Sequence, residues 1–113
     1  MNKHHTLNYI EFTAGNLDEI KQFYSNCFGW KFTDYGPDYV AFNDGSLDGG
    51  FAKGKVTKGG PLVILYSKDL KKSLQTVTKN GATISKEIYS FPGGKRFQFI
   101  DPAGNELAIW SEK

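Results

Sequence analysis

Residues 7–30 read LNYIEFTAGNLDEIKQFYSNCFGW, and residues 62–82 read LVILYSKDLKKSLQTVTKNGA. Each opens on a β-branched and aromatic run that predicts a strand. In the first stretch Asn16, followed three places on by Glu19, is a capping-box-like helix start. Ile20, Phe23, Tyr24, Cys27 and Phe28 then recur at helical spacing and form one apolar stripe. Gly29 stands where a left-handed C-terminal cap is wanted. In the second stretch Asp69 is the cap, Leu70, Leu74 and Val77 make the stripe, and Asn80-Gly81 ends it. The two caps lie 53 positions apart. Such a repeat matters because each half alone exposes an apolar sheet face that only the other half covers.

After the first helix come strand candidates at Trp30–Tyr35, Tyr39–Asn43 and around Gly49–Lys53, divided by Gly36-Pro37-Asp38 and Asn43-Asp44-Gly45, both of which are turn chemistry. After the second helix come Thr83–Tyr89, Lys95–Ile100 and Glu106–Trp110, divided by Pro92-Gly93-Gly94 and residues 101–105. Strand, helix and three strands therefore occur twice. The fold class is α+β: tandem βαβββ modules whose strands form a curved mixed sheet, or cup, with the helices outside. The chain reads as a single domain over residues 1–113, with module 1 at about 6–54, a glycine- and lysine-rich linker at about 54–60 and module 2 at about 61–113.

Net charge is +2, and Arg96 is the one arginine among fourteen basic residues. A nucleic-acid binder usually shows a strong basic excess and clustered arginine, so no nucleic-acid partner is expected. Lys53, Lys55 and Lys58 read as a solvated linker. No apolar stretch approaches the roughly twenty residues that span a bilayer, so no membrane partner is expected. A lone cysteine, Cys27, fits a reducing compartment, and the N-terminus runs into the first strand without a secretion-like segment. The expected location is the cytoplasm. Cys27 has no histidine or serine beside it in the pattern, and it reads as a packing residue of the helix stripe. Aromatic residues make up 15% of the chain, a share that belongs in a core, an interface or a pocket.

Six runs, three in each half, now carry a family resemblance. The first half holds Asn16-Leu17, Phe23-Tyr24 and Phe28-Gly29-Trp30; the second holds Lys68-Asp69-Leu70, Asn80-Gly81-Ala82 and Phe99-Ile100-Asp101-Pro102-Ala103-Gly104-Asn105. In order and spacing they resemble the vicinal oxygen chelate superfamily (glyoxalase, bleomycin resistance protein, dioxygenase), from about Leu7 to Trp110. The resemblance implies two modules curved into a cup, with metal ligands from the first and last strand of each in the enzymes, and homodimers among small members.

The ligand positions implied by that resemblance fall on Tyr9, Gly49, Leu62 and Ala108. A catalytic zinc-type site needs about three ligands from His, Cys, Asp or Glu, and these four supply none. Glu11 and Glu106 share strand parity with Tyr9 and Ala108, which makes them the two weak metal candidates, suited to a hard ion held partly by water. The alternative is that both carboxylates bond to neighbouring protein groups. His4 and His5 read as exposed tail residues. No cofactor is expected.

The expected cup lining is Tyr9, Glu11, Leu62, Ile64, Glu106, Ala108 and Trp110, an apolar floor with a few polar groups, which is the character of a small-molecule site. The favoured reading is metal-independent binding of an unidentified small molecule, in the manner of the bleomycin-resistance members, by a homodimer. Two alternatives stand beside it: a metal-dependent glyoxalase-type lyase or isomerase using the displaced Glu11 and Glu106, and a non-catalytic module whose cup is a dimer interface.

Overall fold

The computed structural model describes His4, His5 and residues 7–112. Module 1 comprises β1 (Tyr9–Ala14), α1 (Leu17–Phe28), β2 (Lys31–Asp34), β3 (Tyr39–Asn43) and β4 (Asp48–Lys53). Module 2 comprises β5 (Val63–Tyr66), α2 (Leu70–Lys79), β6 (Thr83–Phe91), β7 (Gly94–Ile100) and β8 (Glu106–Ser111). Both helices begin where the sequence places them. Asn16 Oδ1 accepts from the Glu19 amide and Asp69 Oδ1 from the Lys72 amide, satisfying donors that have no partner inside the helix. Gly29 closes α1 at φ 72°, a left-handed conformation that costs glycine little.

Each module forms one four-stranded mixed sheet, ordered β1-β4-β3-β2 and β5-β8-β7-β6. The first and last strands pair in parallel, β1 with β4 and β5 with β8, and the remaining pairs are antiparallel. The same order in both sheets is the duplication read in the sequence, now expressed as topology.

Strand alternation gives every sheet two unlike faces. One is packed by the helices and carries Val40, Phe42 and Phe51 in module 1 and Phe97, Phe99, Leu107 and Ile109 in module 2, all buried. Trp30 stacks between Tyr24 and Phe42, with ring centroids 4.5 Å from each. The segment after α1 therefore anchors the helix to the sheet. Gly49 also faces this side: a Cβ there would meet the Phe42 ring and the Ile10 carbonyl. Placing Gly49 at a cup position was off by one residue, because β4 starts at Asp48 and its parity follows from pairing with β1. Glu11 opposes Gly50, just as Ile64 opposes Ala108 in module 2.

The modules are joined on the helix side. Phe23 and Phe28 of α1 bring their rings to 6.1 and 6.5 Å from Phe99 of β7. Tyr24 Oη donates to Asp101 Oδ2 at 2.8 Å, and both residues are buried. Asp101 Oδ1 accepts the backbone amides of Ala103, Gly104 and Asn105 at 2.9 Å each. Asn105 in turn donates its side-chain amide to the Thr13 carbonyl at the end of β1. Burial raises the Asp101 pKa, and the hydrogen bonds from Asn105 and Tyr24 pull against that rise.

Replacing Tyr24 by Phe leaves a buried carboxyl oxygen short of a donor while keeping the ring packing. We expect Tyr24→Phe to cost about 1–3 kcal/mol. The check is urea denaturation: the midpoint should fall while the slope stays constant.

Candidate functional site

The face of each sheet turned away from the helices carries every strand residue expected to line the cup. Tyr9 and Glu11 lie on it in β1, Ile64 in β5, and Glu106, Ala108 and Trp110 in β8, in alternation with the buried Leu107 and Ile109. Leu62 precedes β5 and is half-buried. Ala108 is fully buried between its register partners Ile64 and Gln98. His4 and His5 are exposed, with their rings stacked on each other.

In module 1 the polar groups form a chain. Tyr9 Oη and Tyr39 Oη are 2.5 Å apart, and Tyr39 donates to Glu11 Oε1 at 2.9 Å. The two phenols meet over Gly50, where a Cβ would lie 2.6 Å from Tyr9 Oη. Glycine is needed there for close approach rather than for backbone freedom. Desolvation, followed by the bonds to Tyr9 and Glu11, pushes the Tyr39 pKa upward, so Tyr39 stays protonated and donates. Its position in β3 was legible, but its reach across β4 was not.

In module 2 register sets four residues in one row across the sheet: Tyr66 beside Trp110, Trp110 beside Arg96, and Arg96 beside Tyr89. Tyr66 and Phe91 meet the indole edge-on, with centroids at 5.2 and 6.3 Å. The Arg96 guanidinium lies 5.4 Å from the Tyr89 ring centre and 5.7 Å from that of Phe91, a cation over two aromatic faces. The polar atoms then run in a single direction. Arg96 Nε donates to Tyr89 Oη, Tyr89 donates to Gln98 Oε1 at 2.9 Å, and Gln98 donates to Glu106 Oε2 at 3.0 Å. Ser85 donates to the same oxygen at 2.6 Å. These two donors hold the Glu106 pKa below its ordinary value.

This arrangement does not fit the metal site that the family resemblance implies. The implied ligand positions supply no donor of the usual kind, whether Gly49 or its register-corrected neighbour Gly50 is taken. Glu11 and Glu106 already accept hydrogen bonds from Tyr39, Ser85 and Gln98. Among the described residues, no group of three His, Cys, Asp or Glu side chains could hold an ion. The hydrogen bonds of each chain stay within one module. A separate groove of about 670 Å³ lies by the start of α1; its Lys21 is bound to Asp34 at 2.9 Å and lies 3.6 Å from Asp18.

Cys27 is half-buried against α2, its Sγ 4.0 Å from the Thr76 carbonyl. Burial pushes its pKa up to about 11, so it is poorly suited to nucleophilic work.

The comparisons with known proteins agree with one another. The family model for the Glyoxalase/Bleomycin resistance protein/Dioxygenase superfamily matches residues 6–109. A glyoxylase-like domain-containing protein of Didymella fabae is 30% identical over 119 aligned positions, covering 94% of this chain and 93% of its own. Among solved structures, a glyoxalase/bleomycin resistance protein/dioxygenase family enzyme from Burkholderia phytofirmans PsJN superposes with a TM-score of 0.83 at 16% identity, covering 94% of this chain and 98% of that one. A fosfomycin resistance protein from Listeria monocytogenes, solved with Mn(II) and 1S,2S-dihydroxypropylphosphonic acid, also gives 0.83 at 14% identity, covering 96% and 91%. At such identities the structural likeness speaks for the fold alone.

Two outcomes test these environments. A carboxyl whose folded pKa is depressed stabilises the fold above the ordinary carboxylate pKa and loses that contribution as pH falls through the depressed value. Stability of the wild type should therefore fall more steeply below about pH 4.3 than that of Glu106→Gln. The raised Asp101 acts with the opposite sign in both proteins and drops out of the comparison. Urea midpoints measured as a function of pH give the two slopes. Ellman's reagent at pH 8 should label Cys27 at least about tenfold more slowly in the folded protein than in the urea-unfolded chain.

Proposed function

The chain belongs to the Glyoxalase/Bleomycin resistance protein/Dioxygenase superfamily, and from that premise we propose that it binds a small organic molecule without a metal, on the faces its helices leave open. The observation that carries this reading is the replacement of chelating side chains by an aromatic row and two hydrogen-bonded chains. Trp110 and Tyr66 offer a broad π surface, and Tyr39, Gln98 and Arg96 fix polar atoms around it. An apolar platform with a few convergent polar groups is what an organic ligand uses. A metal-dependent isomerase would have to bring together Glu11 and Glu106, which accept hydrogen bonds in separate modules, and add a further ligand that the described residues do not supply, which disfavours that alternative.

We further propose that the binding unit is a homodimer. Tyr9, Ile64 and Tyr66 are 44%, 45% and 54% exposed, and Leu7 is 89% exposed. All four lie on or just before β1 and β5, each of which is a sheet edge. A second copy covering those edges would bury this apolar surface and bring open faces of the two copies together.

The test is a thermal-shift screen of untagged protein against a metabolite library in the presence of EDTA, with elemental analysis and light scattering alongside. We expect at least one stabilising compound, substoichiometric metal, and a mass near twice 12.6 kDa. Trp110→Ala should weaken the hit at least about tenfold, the effect of losing a central aromatic contact. Stoichiometric nickel, zinc or manganese would reverse the metal-free reading. A screen with no hit would count against binding.

A further inference from the structure

Arg96 is the only arginine of the chain, and its surroundings hold it in place without neutralising it. Its Nε is engaged by Tyr89, and its guanidinium carbon lies over the Tyr89 and Phe91 rings. A guanidinium has five N–H donors in a rigid fork, so the bond from Nε leaves four on the two terminal nitrogens. Among the described residues, no protein acceptor is placed on those nitrogens. Four carboxylates on or beside the open faces have donors of their own. Glu106 takes Ser85 and Gln98, Glu11 takes Tyr39, Glu112 takes Tyr66, and Asp48 takes Asn43. Glu106 is also three hydrogen bonds away along the chain through Gln98 and Tyr89. A half-buried, oriented fork whose charge no described side chain pairs directly is built to receive an oxyanion from outside.

Trp110 shows what should lie beside that oxyanion. It is the register neighbour of Arg96 on the adjacent strand, and neighbouring strands run about 4.8 Å apart. The indole and the guanidinium therefore stand side by side on one face, so a ring lying on Trp110 can carry a substituent at its edge to the fork. Resting on the small-molecule reading above, we infer that Arg96 is the carboxylate-recognising residue of this face, and that the ligand is an aromatic carboxylate with its ring on Trp110. The fork takes both carboxylate oxygens, a geometry a lysine cannot reproduce.

Titration calorimetry of the full-length protein with benzoate, 2-naphthoate and indole-3-carboxylate, each paired with its primary amide, tests this directly. At least one carboxylate should bind about tenfold or more tightly than its amide, a difference of about 1.4 kcal/mol. Arg96→Lys and Arg96→Gln should each lose about tenfold for that carboxylate and leave the amide's affinity unchanged. Circular dichroism confirms that the variants fold, and the wild-type comparison of acid with amide decides even where one does not. Equal binding of acid and amide, carboxylate affinity retained in Arg96→Gln, or no binding by any probe up to about 10 mM overturns the assignment. Probes or library hits that bind through Trp110 without preferring the acid sink Arg96 alone. A chain that takes no probe and no library compound sinks the binding reading with it.

Discussion

Asp101 is the point at which this fold is tied. Its carboxyl sits in the turn between β7 and β8, where Oδ1 gathers three consecutive backbone amides and fixes the turn. Its second oxygen takes the phenol of Tyr24, which is 77 residues earlier on α1. A buried carboxyl is tolerable only with such partners, since desolvation alone would oppose its charge. One side chain thus closes a local turn in module 2 and joins it to the helix of module 1. The Phe23, Phe28 and Phe99 rings pack beside that bond, and Asn105 extends the connection to the end of β1. The helix-side contacts rest on this tie, and the open faces on the reverse of both sheets are free of that task.

That division explains what the sequence made legible. Asn16, Asp69, Gly29 and the turn glycines carry local signals that do not depend on a distant partner, so the elements and their duplicated order could be read from them. Tyr24 was read correctly as part of an apolar stripe, while its hydroxyl's partner could not be, because no local pattern encodes a bond across 77 residues. The lining of the open face was readable by alternation within β1 and β8. It slipped by one residue at Gly49, where the strand's start is set by pairing with β1 and one step exchanges the two faces. Tyr39, Tyr89, Gln98 and Arg96 were missed as site residues for a related reason. Each sits in an ordinary strand position, and only cross-strand register sets Arg96 beside both Tyr89 and Trp110. The lone arginine was visible as a planar fork, but nothing short of the β6–β7 pairing shows what holds it.

The polarity of the module 2 chain has its own consequence. Arg96, Tyr89, Gln98 and Glu106 are linked by donors that all point from the cation toward the carboxylate. Each bond polarises the next in the same sense, so the chain keeps Glu106 ionised and orients the Gln98 amide. It also keeps the two charges apart. A direct Arg96–Glu106 ion pair would satisfy both groups and leave an inert surface; three intervening hydrogen bonds stabilise the carboxylate and leave the guanidinium its terminal donors.

The absence of ordinary metal ligands at Tyr9, Gly49, Leu62 and Ala108 fits the same architecture. The residues that hold the sheets together face the helices, and of the positions where the family resemblance implies chelation Tyr9 and Ala108 face away from them while Gly49 faces the core. An exposed position such as Tyr9 can change what the surface binds without opening a cavity in the core, whereas Ala108 is itself buried between Ile64 and Gln98. Fold and chemistry are then set by opposite faces of the same strands, which is how one scaffold comes to host unlike functions. In this chain the open faces have acquired hydrogen-bonded order of their own. Tyr9 and Tyr39 meet over Gly50, a residue whose missing side chain is the condition for their contact.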